Sequence, residues 1–242
     1  MIQVKYIDME TSIEKAKKAI QEADAIIVGA SNGLSISEGY NIFADNEMFR
    51  QQFGDFREKF GLRNVLDGIF SENMDSGSRQ EFLKRLVKLW IEDYEPSETM
   101  KNLYSLVKYK PYFVLTTNAD EHLEKAGFDA EKVWEIEGTF RTTLMNELPI
   151  NRNEAFNYFL SEFNGKKIVI LELGIGSRNR IIKLPLMQLV YRQPKATYIT
   201  LNLPHEIYIP EEITDKSIAL PGDISETLSI LFSSYSSDDV TG

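Results

Sequence analysis

The sequence predicts an α/β fold: a Rossmann-like, doubly wound parallel sheet of about six strands, with a small, mainly helical lobe. Apolar segments of strand length recur at intervals too long for hairpins, and several intervals carry the spacing of helices. The first such segment runs into a loop of small residues, 29–35, that leads into a helix, as in α/β proteins that hold a phosphate. A chain of 242 residues with 43% hydrophobic content can bury the core that this fold needs.

The remaining strands and helices follow in order along the chain. Five further strands are predicted at 112–116, 133–136, 167–171, 196–201 and 217–219. Apolar residues at helical spacing predict helices at 12–23, 120–126, 153–162, 185–191 and 224–232, and one more helix begins after a Ser97 cap and ends before Pro111. Continuous apolar strands alternating with helices are typical of a sheet covered on both faces.

The chain is predicted to form one domain, residues 1–242. We interpret the phenylalanines of 40–95 as the core of a helical lobe, and the Ser, Gly and Asn content of 71–79 predicts a loop. The predicted division gives a Rossmann-like core at about 10–39, 97–138 and 166–233, a small lobe at about 40–95 and 139–165, and a flexible tail at 234–242.

Charge and composition exclude several classes of function. With 27 basic and 37 acidic residues the net charge is −10, which disfavours a nucleic-acid partner. The chain has no cysteine, so we predict no disulfide framework, no zinc module and no metal site. The amino-terminal residues lack a signal-peptide pattern, and no apolar run approaches the roughly 20 residues that span a bilayer, so we expect a soluble, cytoplasmic protein with no membrane partner.

Ligands of such sheets collect at the carboxyl ends of the strands, near the point where the strand order reverses. Each predicted strand is followed there by glycine or a polar side chain, in segments 29–35, 116–120, 137–138, 172–177, 202 and 221–223. Arg178 and Arg180 are further candidates for a contact with a phosphate or an acidic partner. His122 is expected to be solvated or half-buried on its helix.

These strand ends resemble the sirtuin family. Segment 31–39 matches its loop pattern GAG-x-S-x-x-S-G without a gap and keeps Gly33, Ser35 and Gly39. The other resemblances are Thr116-Thr117-Asn118-Ala119-Asp120 with Ala126-Gly127 to the TQNID signature, Glu135-Ile136-Glu137-Gly138 to ELHG, Gly174-Ile175-Gly176-Ser177 to the GTS loop, and Asn202 and Asp223 to the adenosine contacts.

Segments 28–40, 116–128 and 172–176 are more similar to the microbial, macrodomain-linked class of sirtuins. That class is associated with protein ADP-ribosylation, with a lipoylated carrier protein as a target, and it lacks the catalytic histidine of deacylating sirtuins. The resemblance therefore implies a protein substrate, and it leaves the acceptor and the oligomeric state open.

The resemblance also implies that NAD⁺ binds between the core and the small lobe and reacts at C1′ of its nicotinamide ribose. Asn118 is implied to hold the ribose or a water, Asp120 to lie near the carboxamide, and Glu137 to lie at the reacting ribose. The residues implied to bind the cofactor are Gly29, Ala30, Ser31, Asn32, Gly33, Ser35, Phe43, Thr117, Gly174, Gly176, Ser177, Asn202 and Asp223.

Three departures from the family decide which activity is favoured. Segment 41–44 replaces the PDFR motif and keeps only Phe43, segment 139–165 replaces the zinc module, and Glu137 replaces the histidine that draws a proton from the ribose in deacylation. A carboxylate is a weak base at neutral pH, but its charge stabilises an oxocarbenium-like centre. The sequence favours ADP-ribosyl transfer or NAD⁺ hydrolysis. A deacylase that uses Glu137 or water as base, and a non-catalytic sensor of NAD⁺ or ADP-ribose, remain the alternatives.

Overall fold

The structure, a computed structural model, describes residues 9–233. The predicted tail at 234–242 lies outside the described residues. The strands are β1 (Ala25–Ala30), β2 (Tyr112–Thr116), β3 (Val133–Glu135), β4 (Ile168–Leu173), β5 (Thr197–Asn202) and β6 (Ser217–Pro221). They form one parallel sheet in the order β3-β2-β1-β4-β5-β6. All six predicted strands are confirmed.

The strand order reverses between β1 and β4, at the centre of the sheet. Gly29 of β1 lies opposite Leu115 of β2 on one side and Glu172 of β4 on the other. The chain then continues from β1 toward one edge of the sheet and from β4 toward the other. The carboxyl ends of β1 and β4 therefore border the crevice in which ligands of such sheets bind.

Helices cover both faces of the sheet, which confirms the doubly wound α/β class. On one face Ile20 and Leu103 pack in the same core cluster as Val28, and on the other face Leu186 packs with Ile27. The α-helices are α1 (Met9–Glu22), α2 (Asn32–Ser37), α3 (Glu47–Phe60), α4 (Val65–Phe70), α5 (Ser76–Val87), α6 (Glu98–Val107), α7 (His122–Lys125), α8 (Phe140–Met145), α9 (Asn153–Glu162), α10 (Lys183–Arg192) and α11 (Ile224–Ser233), with a π-helix at Lys88–Glu92 and 3₁₀ turns at Ala130–Lys132 and Glu211–Lys216.

A third core cluster joins helices α3, α4 and α5 to the π-helix. Phe49, Phe53 and Phe82 are buried in it with Trp90, so the structure supports our interpretation of the aromatics as a core. Phe43 and Phe70 lie outside this group and are 50% and 69% exposed, so the interpretation does not hold for them. The side chain that the PDFR-like segment retains is therefore free to contact a ligand.

The predicted loop at 71–79 is wrong in its second half, because α5 already begins at Ser76. Asp75 caps this helix: its side chain accepts a hydrogen bond from the Ser78 N–H at 2.8 Å. Ser, Gly and Asn content indicates a turn, but an Asp three residues before a Ser also satisfies the first free N–H groups of a helix.

The segment 139–165 contributes to two different clusters. Phe140 of α8 packs with the helical lobe, whereas Phe159 of α9 packs against the sheet beside Phe113. The division of the chain into a core and a small lobe stays a prediction, and α9 belongs by its packing to the sheet.

Candidate active site

Two loops touch at the carboxyl ends of β1 and β4. The N–H of Gly33 donates to the carbonyl of Gly174 at 3.1 Å. A Cβ on Gly33 would lie 2.5 Å from the Gly174 Cα, and Gly174 has a φ of +61°. Only glycine at both positions permits this approach without strain. These two predicted glycines therefore bring the loops together.

The loop after β1 offers fewer free backbone donors than a phosphate cradle implies. The N–H groups of Ser31, Gly33 and Leu34 donate to carbonyl oxygens of Leu173, Gly174 and Ser31, at distances of 3.2, 3.1 and 2.9 Å. The side chains of Asn32, Ser177 and Arg178, which carry further hydrogen-bond donors, line a cavity nearby.

A cavity of about 590 Å³ opens beside these loops, within the size range of small-molecule sites. Most of the residues predicted to bind the cofactor line it, from both halves of the sheet and from the helical lobe. These residues are Ser31, Asn32, Gly33, Phe43, Gly174, Gly176, Ser177, Asn202 and Asp223.

Four residues predicted to bind the cofactor lie outside the cavity lining. Gly29 and Ala30 are buried within β1, because the strand extends two residues further than its apolar run, and their predicted contact has no support in this geometry. Thr117 lies behind Ser31, with their hydroxyl oxygens 2.9 Å apart. Ser35 faces Asp120 and Asn118 instead.

Asn118 and Asp120 form a buried cluster with Ser35. The Ser35 hydroxyl donates to Asp120 Oδ2 at 2.5 Å and accepts from Asn118 Nδ2 at 2.8 Å. The Asn118 N–H is bonded to Thr116 Oγ1 at 2.9 Å. Its other side-chain atom, Oδ1, is buried and has no hydrogen-bond partner among the described residues. An unpartnered buried acceptor is costly, so a ligand or water hydroxyl is its expected partner.

Glu137 is exposed and lies beside the loop that carries Asn118. Two backbone hydrogen bonds flank it: the Ile136 N–H donates to the Thr116 carbonyl at 3.0 Å, and the Phe140 N–H donates to the Ala119 carbonyl at 2.8 Å. These two bonds hold segment 136–140 against segment 116–119. Neither Glu137 nor Asn118 lines the cavity, so their roles stay predictions.

Two residues of the cavity wall were not predicted from the sequence. His205 and Glu206 line it with Arg178, and Glu206 accepts the Ser177 N–H at 2.8 Å. This hydrogen bond lowers the pKa of the Glu206 carboxyl. Both residues follow the end of β5, and the rule that had selected Asn202 would have found them if it had been extended by four residues.

A buried ion pair supports the loop after β4. Lys183 Nζ lies 2.8 Å from Glu172 Oε1 and donates to the Ile175 carbonyl at 3.1 Å, and Asn202 Nδ2 donates to the same carbonyl at 2.9 Å. Thr200 donates to Glu172 from the neighbouring strand. Burial, opposed by Lys183, raises the pKa of the Glu172 carboxyl. The loop that lines the cavity is therefore anchored from below.

The expectation that His122 is solvated or half-buried is wrong. Its side chain is fully buried, with Nδ1 3.1 Å from Glu38 Oε1 and Nε2 2.9 Å from the Trp90 carbonyl oxygen. These partners belong to segments far away in sequence, which is why helical spacing around His122 gave no sign of them.

Glu124 and Glu135 are two half-buried acids whose side chains are hydrogen-bonded to each other. Burial, with repulsion from Glu124, raises the pKa of Glu135 to about 9. An acid whose pKa is raised by folding stabilises the fold fully below its ordinary pKa. For Glu135 this contribution is lost as the pH rises through about 9. The wild type should therefore lose stability between pH 6 and pH 9. We expect the Glu135→Gln variant to lose at least about 1 kcal/mol less of its free energy of unfolding over the same range.

Urea unfolding at a series of pH values measures this difference. The matched control is Glu154→Gln, which alters an exposed acid on α9. A Glu135→Gln variant that loses as much stability between pH 6 and pH 9 as the control would contradict the raised pKa of Glu135.

Comparisons with known proteins agree with this geometry. No family model matches the chain. A curated protein ADP-ribosyltransferase of Staphylococcus aureus (strain Mu50 / ATCC 700699) is 27% identical, with 88% of this chain and 84% of that protein covered. A Sir2 homologue in complex with NAD matches at a TM-score of 0.60 and 14% identity, covering 96% of this chain and 95% of that one. A mutant Sir2 homologue with ADP-ribose also matches at 0.60 and 14%, covering 95% and 98%.

The chain has the sirtuin fold. At such low identities the solved structures establish the fold alone, and together with the curated relative they confirm the predicted resemblance to the ADP-ribosylating sirtuins. Among the described residues, no group of three or more histidine, cysteine or acidic side chains could hold a metal ion. The described helices include none long and apolar enough to cross a membrane.

Proposed function

We propose that this sirtuin-fold protein is an NAD⁺-dependent ADP-ribosyltransferase that acts at C1′ of the nicotinamide ribose. The observation that carries the proposal is the cavity at the strand-order reversal, together with the buried Asn118–Ser35–Asp120 cluster beside it. Its wall carries residues that the sirtuin resemblance had selected from both halves of the sheet. The similarity to a protein ADP-ribosyltransferase supports a protein as acceptor.

The cavity suits a dinucleotide in size and in chemistry. The glycine pair lets the two loops meet at the cavity wall, where any Cβ would collide with the opposite loop, and Arg178 supplies a cation for the pyrophosphate. Asn202 and Asp223 lie on the β5 and β6 side, where the adenosine would bind. Ser31 connects the cavity to segment 117–118, because its hydroxyl is hydrogen-bonded to the Thr117 hydroxyl.

In the proposed reaction the C1′–N bond of NAD⁺ breaks and nicotinamide leaves. A nucleophilic atom of the acceptor bonds to C1′, and its proton passes to solvent. The Asn118 Oδ1 accepts a hydrogen bond from a ribose hydroxyl, and the Glu137 carboxylate stabilises the positive charge that develops at C1′. Because no step needs a strong base, the absence of histidine at position 137 is compatible with transfer. With water as acceptor, the same steps hydrolyse NAD⁺.

The proposal also specifies the kind of acceptor protein. A lipoylated carrier protein is the acceptor that the class resemblance suggests, and it is the first to add to the assay. The cytoplasm is the proposed location.

Labelled NAD⁺ tests the proposed function. The purified protein is incubated with NAD⁺ labelled in its adenosine half and with a cell extract, and both free nicotinamide and protein-bound label are followed. We expect both signals from the wild type, neither from Asn118→Ala, and both from the matched control Asn157→Ala, which alters an exposed helical residue. Nicotinamide without bound label would indicate hydrolysis. Neither signal, combined with NAD⁺ binding in calorimetry, would identify a sensor and contradict the proposal.

A further inference from the structure

The buried ring of His122 contacts acceptors at both of its nitrogens. Nδ1 lies 3.1 Å from Glu38 Oε1, and Nε2 lies 2.9 Å from the Trp90 carbonyl oxygen. The other Glu38 oxygen accepts hydrogen bonds from the hydroxyls of Tyr94 and Ser97, as an ionised carboxylate does. The Trp90 carbonyl can only accept, and so can an ionised Glu38, so an imidazolium, which donates from both ring nitrogens, satisfies both contacts.

The surroundings of the ring favour a positive charge. The titratable groups that face it are the carboxylates of Glu38 and Asp120 and the phenols of Tyr40 and Tyr94, whose ring stacks on the imidazole at 3.5 Å between centroids. Trp90 belongs to the last turn before Asp93, where helix carbonyls carry partial negative charge. Burial acts against the cation, but Asp120 and Glu38 outweigh it, and the pKa of His122 lies above its ordinary value.

The ring connects three parts of the molecule. Glu38 directly follows α2 of the loop after β1, and Trp90 belongs to the helical lobe. Asp120 Oδ2 lies 3.8 Å from His122 Nδ1, and Asp120 Oδ1 accepts the His122 backbone N–H at 3.2 Å. Asp120 in turn holds Ser35, which holds Asn118. Any shift of the ring is therefore transmitted to Asn118 through one carboxylate and one hydroxyl.

We propose that His122, as a buried imidazolium, is a positioning residue that locks the helical lobe to the cofactor loop and holds Asn118 in place through Asp120 and Ser35. The inference rests on the proposed function, because Asn118 is the residue proposed to bind the reacting ribose. Within the described part of the chain, none of the hydrogen bonds of His122 reaches a residue that lines the cavity.

Loss of the ring proton should disturb this arrangement. A neutral ring must turn a lone pair toward either the Glu38 carboxylate or the Trp90 carbonyl, which converts one attraction into repulsion. Glu38 and Asp120 then also lack their buried cation. The fold is expected to lose stability as the pH rises through the raised pKa of His122, and Asn118 to lose its fixed position over the same range.

Nuclear magnetic resonance tests the protonation state directly. The chain has two histidines, so His205→Gln assigns the ring signals without ambiguity. We expect both ring nitrogens of His122 to carry hydrogen at pH 7, and the ring to titrate above the ordinary pKa of histidine. A ring with one unprotonated nitrogen at pH 7 would overturn the proposal.

Kinetics test the positioning role. For His122→Gln we expect kcat for nicotinamide release to fall about 10- to 100-fold, the scale of a small misplacement of a reacting group, while the KM for NAD⁺ changes little. The wild-type kcat should fall at alkaline pH along the His122 titration curve, and the variant should lack that limb. A variant that keeps both the wild-type kcat and the alkaline limb would overturn the proposal, and the wild-type titration remains decisive if the variant fails to fold.

The proposed function can fail without this inference. If the wild type releases no nicotinamide at any pH, the enzymatic proposal is wrong, and the side-chain amide resonances of Asn118 then decide the positioning role. These resonances must shift along the His122 titration of the wild type. Unshifted Asn118 signals would show that the ring does not position this residue.

Discussion

Glu137→Gln is expected to lower kcat for nicotinamide release by at least about 100-fold, the scale of removing one electrostatic group from a transition state. The C1′ centre becomes positive as nicotinamide leaves, and the amide that replaces the carboxylate keeps its size but not its charge. The backbone hydrogen bonds of Ile136 and Phe140 that hold this segment do not involve the Glu137 side chain, so the variant should fold normally. The affinity for NAD⁺ should stay nearly unchanged.

Glu147→Gln is the matched control for this variant, since it alters an exposed acid ten residues further along the chain. It should retain the wild-type rate. A Glu137→Gln variant that releases nicotinamide as fast as this control would exclude a role for the carboxylate at the reacting ribose. The measurement is initial-rate kinetics with quantified nicotinamide at saturating NAD⁺.

Lys183→Met is expected to destabilise the fold by about 3–5 kcal/mol, because it leaves a buried charge without its partner. Lys183 and Glu172 are 2% and 0% exposed, and their 2.8 Å contact lies beneath the loop that lines the cavity. The variant also removes one of the two donors to the Ile175 carbonyl. The loss should shrink at acidic pH, where Glu172, with its raised pKa, takes up a proton.

The double variant Glu172→Met with Lys183→Met separates the charge effect from packing. Replacing both members of a buried pair by apolar side chains is often neutral for stability, so we expect most of the loss to be recovered. Urea unfolding followed by circular dichroism compares the three proteins. If Lys183→Met alone unfolds at the wild-type urea concentration, the ion pair does not support the loop.

The sheet was predictable because most of its strands are continuous apolar runs separated by helical segments, a pattern typical of a parallel sheet covered on both faces. The segment 112–116 is such a run, and the structure assigns β2 the same bounds. Local chemistry also predicted the start of α6, where Ser97 accepts the Met100 N–H. The start of α5 was missed because the residues around Asp75 are equally typical of turns and caps.

The candidate site was predictable where it follows strand ends and unpredictable where it depends on tertiary contacts. Asn202 and Asp223 line the cavity, as the rule about carboxyl ends implies. The Gly33–Gly174 contact could not be predicted, because it depends on how two loops far apart in the sequence pack against each other. His122 is the clearest case, since Glu38 lies 84 residues before it and only folding brings the two side chains within 3.1 Å.

A crystal structure of the complex with NAD⁺, or with a slowly reacting analogue, tests the account most directly. We predict that the dinucleotide occupies the cavity, with its adenosine near Asn202 and Asp223 and C1′ of the nicotinamide ribose between Asn118 and Glu137. A dinucleotide bound with its nicotinamide ribose away from both residues, or bound elsewhere on the molecule, would contradict the account.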